Sequence, residues 1–112
     1  MYIEFDKEYL SDLYEKGKTS DKKHIYRPIV IKKYQIAVNI LKSVMQIEDV
    51  ISYYSLGYEE LTGDKEGILS VRINPKYRLE FTVRNIEESE LPVCRLLDIC
   101  CNYKIEKQNG YR

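Results

Sequence analysis

The stretch S70-V-R-I-N-P-K-Y-R-L-E-F81 decides the fold. Val71 and Ile73 alternate with Ser70, Arg72 and Asn74. Beyond the tip Asn74-Pro75-Lys76, Tyr77, Leu79, Phe81 and Val83 alternate with Arg78, Glu80, Thr82 and Arg84. Side chains on a strand point to opposite faces in turn. Two such alternations about a short proline-containing tip predict a β-hairpin. If the apolar set faces the core, then Arg72, Arg78 and Arg84 share the other face. Arg72 and Arg78 sit six residues apart around the tip, so the hairpin makes them direct or diagonal neighbours. Two guanidiniums that close repel each other. Glu80, Asp98, solvent or an anionic ligand must offset the repulsion. Ion pairs Arg72–Glu80 and Arg78–Asp98 on a solvated face are one solution. A phosphate group is the other, because the guanidinium fork matches its oxygens.

Outward from the hairpin, the pattern predicts an α+β chain. YIEF (2–5) is a short first strand. Asp6 is expected to cap a helix carrying Tyr9, Leu10, Leu13 and Tyr14, which Gly17 closes. Arg27-Pro28 opens a second helix with Val30, Tyr34, Ala37, Leu41 and Val44 on one face. A helical turn is expected near Glu48–Ile51, then a loop through Leu56-Gly57, and a turn or loop over residues 60–67. PVCRLLDICC (92–101) is apolar on both faces, as a covered or central strand is. The tail after it is expected to be loop with at most a turn of helix. The whole is an N-terminal strand and two helices packed on one face of an antiparallel meander, in one domain over residues 1–112.

Composition narrows the function. At 112 residues, 44% hydrophobic and 32% charged, the chain supports one core without disulfides. Cys94, Cys100 and Cys101 are odd in number and partly adjacent, so they read as small apolar strand residues, neither a disulfide framework nor a metal site. No metal and no cofactor are expected. No apolar run is long enough for a membrane span, and MYIEFDKEYL is not a secretory signal, which points to the cytoplasm. Net charge is zero, but Lys16 to Lys33 holds seven basic residues against Asp21 alone. Charge so segregated gives a positive face, or a solvated helix pair. Tyr103, in the polar setting CNYK, offers a ring for stacking or a hydroxyl for chemistry.

The string LGYEELTGDKEGILSVRINPKYRLEF, followed after a gap by LLDICCNYK, resembles the HigB-type toxins of the RelE/ParE superfamily, from bacterial type II toxin–antitoxin systems. The match rests on Leu61, Gly63 and Gly67 in the loop, Ser70–Asn74 and Tyr77–Phe81 on the strands, and Asp98–Tyr103 at the end. The resemblance implies a RelE-like fold and an endoribonuclease that cuts mRNA on the translating ribosome. It also implies a HigA-like helix-turn-helix antitoxin as partner in a hetero-oligomer that represses its own operon. Carried over by position, Arg72, Arg78, Tyr103 and Lys65 are the implied catalytic residues. Arg84, Lys76, Asn102, Lys104 and His24 are candidate RNA contacts. The departure is Asn102, where the family commonly has histidine; an amide cannot carry the proton. His24 is the candidate substitute. Two other activities fit the same fold: a non-cleaving inhibitor of the gyrase-poisoning branch, and an inactive toxin kept for antitoxin binding and operon regulation.

Overall fold

The computed structural model describes residues 1–88 and 90–101. Among the described residues five strands form one mixed sheet: β1 (Tyr2–Phe5), β2 (Glu59–Glu60), β3 (Leu69–Arg72), β4 (Tyr77–Arg84) and β5 (Val93–Cys101), in the spatial order β1-β5-β4-β3-β2. The expected meander is present as β3, β4 and β5. The sheet extends beyond it on both sides. β1 adds to β5 in parallel, and β2 adds to β3 antiparallel.

Two helices, α1 (Glu8–Lys16) and α2 (Pro28–Ser43), cover one face. Tyr9, Leu10 and Leu13 of α1 and Val30, Tyr34, Ala37, Val38 and Leu41 of α2 are buried. They join Val71, Leu79, Phe81, Cys94, Leu96 and Ile99 of the sheet in a single core. Burying a ring such as Phe81 contributes roughly 1.5–3 kcal/mol, so this face holds the sheet to the helices. The Tyr34 hydroxyl donates to the Leu10 carbonyl at 2.7 Å. Gln35 Nε2 donates to the carbonyls of Leu13 and Tyr14 in the last turn of α1.

Gly17 ends α1 at φ +72°, and its N–H reaches the Leu13 carbonyl. Pro28 stands in the first turn of α2. Both follow the sequence. Asp6, however, does not cap α1. The capping position belongs to Lys7, and the Asp6 carboxylate is held by Arg95 at 2.8 Å. Residues 61–67 form the expected turn or loop, but the short strand β2 before them is not among the expected elements. Glu59 and Glu60 pair with Ser70 and Leu69, and Gly63–Lys65 forms a 3-10 turn.

Candidate functional site

The β3–β4 hairpin turns at residues 73–76, where Asn74 Oδ1 accepts from the N–H groups of Lys76 and Tyr77 at 2.9 and 2.7 Å. The turn fixes the register, and that register sets Arg72 directly opposite Arg78. Directly opposed side chains lie on one face of a sheet. The same pairings put Glu59, Ser70, Glu80 and Cys100 on that face. It is the face the helices leave uncovered.

The two arginines are held differently. Arg78 is 5% exposed. Its Nε donates to Ser70 Oγ at 2.8 Å. Its Nη2 donates to the Gly57 carbonyl and, at 3.3 Å, to the Ser70 carbonyl, with Glu59 Oε1 3.5 Å away. Burial pulls its pKa down from the ordinary value, Glu59 opposes that shift, and Arg72 adds to it. The guanidinium stays charged, as arginine does in proteins. Among the described residues Nη1 makes no hydrogen bond. Arg72 is exposed and makes no hydrogen bond or ion pair among the described residues. Its guanidinium lies against Gly57.

Neither ion pair considered from sequence forms. Glu80, 5% exposed, is bonded to Lys65 Nζ at 2.7 Å instead of to Arg72. Asp98 accepts from the Tyr9 hydroxyl and pairs with Lys7 at 3.2 Å instead of with Arg78. Leu97 is an extra residue between the Phe81–Leu96 and Glu80–Asp98 pairs, a bulge that sets Asp98 opposite Glu80 and Cys100 opposite Arg78. Burial, and then Glu80, push the Cys100 thiol up to about 12.

Lys65 therefore reaches the arginine face, carried there by the 3-10 turn and anchored on Glu80. Lys76 sits at the hairpin tip beside the pair, its Nζ 5.3 Å from the centre of the Tyr77 ring. Arg84 does not join them. It lies six residues from Arg78 along β4, ~20 Å at strand rise. There it makes a two-pronged bond to Glu4 at 3.1 and 2.8 Å. Arg95 bridges Glu4 and Asp6 beside it, so this end of the face is a closed charge network.

His24 occupies a third place, the free edge of β5 beyond β1. Its ring stacks on Tyr9, centroids 3.5 Å apart. Nε2 is 3.9 Å from Asp98 Oδ1; Nδ1 is 3.0 Å from Asp21 Oδ2, outside hydrogen-bond geometry. The Tyr9 hydroxyl also accepts the Ile99 N–H at 2.9 Å, closing the exposed strand edge. Burial, then Asp98, raise the Tyr9 pKa well above the ordinary phenol range. Asn102, Tyr103 and Lys104 lie outside the described residues.

Sequence reasoning missed Gly57, Ser70 and Glu59 as parts of the site. Ser70 carried a signal, since it shares parity with Arg72. Gly57 and Glu59 carried none, because their roles depend on where a loop carbonyl and a two-residue strand fall in space.

No protein-family model matches the chain, and no curated protein matches it in sequence. Solved structures do match it. The YoeB/ParE toxin from Agrobacterium tumefaciens superposes with a TM-score of 0.57 at 15% identity, covering 92% of this chain and 100% of that one. YafQ from E. coli strain BL21(DE3) gives 0.55 at 12% identity, over 92% and 94%. A mutant of YafQ gives 0.50 at 16%, over the same shares. The chain thus has the RelE-like α+β fold of the YoeB/ParE and YafQ toxins. Among the described residues no helix is long and apolar enough to cross a membrane.

Proposed function

We propose that this chain is the toxin of a type II toxin–antitoxin pair, and a HigB-type endoribonuclease that cuts mRNA on the translating ribosome. The observation that carries the proposal is the pairing of Arg72 with Arg78, on the sheet face away from the helices, in a fold shared with known toxins.

In the proposed reaction a ribose 2′-oxygen attacks the adjacent phosphorus. The bond from phosphorus to the 5′-oxygen breaks, leaving a 2′,3′-cyclic phosphate. One proton leaves the 2′-hydroxyl and one reaches the departing 5′-oxygen. Negative charge builds on the phosphoryl oxygens, where Arg78 Nη1 and the Arg72 fork supply preorganised donors. The proton transfers fall to Lys65 and Tyr103. Lys76 meets a neighbouring phosphate. Weak acid–base groups suffice where the ribosome fixes the geometry. The partner is a HigA-like helix-turn-helix antitoxin, and the setting is the cytoplasm.

The test is to induce the chain without its partner and map mRNA 5′ ends. New ends within codons of translated messages, absent on inducing Arg72→Ala, support the proposal. Arg72 is the informative position because its removal leaves the core and the Arg78 anchors in place. Intact messages with arrested replication would replace the nuclease with a gyrase-directed inhibitor. Unaffected growth would leave only the regulatory role.

A further inference from the structure

Gly57 touches both arginines. Its carbonyl accepts from Arg78 Nη2, and its bare Cα is the surface on which Arg72 lies. A Cβ built there would stand 2.9 Å from Arg72 Nη2, 3.3 Å from Cζ and 3.4 Å from Nε. The backbone at Gly57 is left-handed, φ +49° and ψ +53°, a conformation that L side chains resist. The residue is pinned from both sides. Leu56 before it is buried in the core, and Glu59 two residues on pairs with Ser70 of β3. Its own N–H is bonded to the Tyr54 carbonyl at 3.1 Å.

We infer that Gly57 is a positioning residue that sets the spacing of the two guanidiniums. The inference rests on the proposed phosphate role of the pair. Two like charges on opposed strands push apart, and Arg72 has no counter-ion among the described residues to hold it. The seat at Gly57 supplies what a counter-ion would: one contact fixes Arg78 by a hydrogen bond, and the same residue offers Arg72 a flat place to rest. A side chain at position 57 removes that place. Because the clash falls on the free end of a flexible arginine, Arg72 swings away while Arg78, bonded to the carbonyl, stays.

The test uses the full chain with Gly57→Ala, Gly57→Asn, Arg72→Ala and the double variant Arg72→Ala/Gly57→Ala. The arginine Nε–Hε signals are read by NMR. Binding of a 2′-O-methylated RNA oligonucleotide, which the chain cannot cleave, is read by fluorescence anisotropy. In Gly57→Ala the Arg72 signal is expected to move and the Arg78 signal to stay, with binding weaker by roughly tenfold, the scale of one lost charge-assisted contact. The double variant should bind no more weakly than Arg72→Ala. Asparagine tolerates the left-handed backbone, so Gly57→Asn should melt higher than Gly57→Ala yet bind no better. An unmoved Arg72 signal in Gly57→Ala overturns the inference. So does a double variant weaker than Arg72→Ala by the factor seen for Gly57→Ala alone. If the unaltered chain does not bind the oligonucleotide, the RNA role fails, and the Arg72 signal still decides for or against the seat.

Discussion

Arg72 and Arg78 face each other across β3 and β4, one exposed, the other buried and bonded to Ser70 and Gly57. The asymmetry separates two jobs. Arg78 holds the local structure through Ser70 and the Gly57 carbonyl. Arg72 adds a cation whose repulsion the fold tolerates without an evident structural return.

Stability should follow that division. Arg78→Ala strips a donor from the Gly57 carbonyl and from Ser70 and removes the cation 3.5 Å from Glu59. Urea unfolding should show a loss of about 2–4 kcal/mol. Arg72→Ala removes a repulsive neighbour and no bond among the described residues, so its stability should stay within about 0.5 kcal/mol of the parent. Equal losses would contradict the assignment of roles.

Acid should act through Glu4. The hydrogen bond from Arg84, and then that from Arg95, holds its carboxyl down to about 2, against an ordinary 4.5. A carboxyl held lower in the folded chain than in the unfolded one stabilises the fold above the unfolded value. That contribution disappears as pH falls from about 4.5 through about 2. The Glu4→Gln variant should therefore lose less stability than the parent over that window. Urea midpoints at pH 6, 4 and 3 measure it, and parallel curves would sink the prediction.

Thiol chemistry should single out Cys101. Burial pushes Cys94 and Cys100 up to about 12, whereas Cys101 is exposed. Since the thiolate is the reactive form, iodoacetamide at pH 8 should label Cys101 first. Peptide mass spectrometry after short exposures reads the order. Early labelling of Cys100 would mean that the arginine face opens more than the structure shows.

The sequence spoke most clearly where a short period met a short turn. Alternation over residues 69–84, with Asn74-Pro75 at the tip, carried the hairpin and made Arg72 and Arg78 neighbours. The stripe from Val30 to Val44 carried α2, every member of which is buried. The RelE-like fold followed from those elements and from the motif resemblance. What stayed hidden was set by tertiary structure. β2 is two glutamates long and has no period to find. Strand order cannot be read from alternation, so the parallel docking of β1 on β5 was not visible. Asp98 stands opposite Glu80, and the Tyr9 hydroxyl and Lys7, both distant in sequence, take its carboxylate. Glu80 found Lys65 15 residues away in sequence, because a 3-10 turn folds back over the face. Arg84 shares the parity of the pair but stands at the far end of a long strand, where Glu4 meets it.

The most direct test of the account is the salt dependence of RNA binding. A 2′-O-methylated oligonucleotide would be titrated against the parent chain, Arg72→Ala and Arg84→Ala at several salt concentrations. Losing one phosphate contact to a single strand lowers the slope of log K against log salt by about 0.7. The account predicts that shallower slope and weaker binding for Arg72→Ala, with Arg84→Ala closer to the parent in both. An Arg72→Ala variant with the parent's affinity and slope would contradict it.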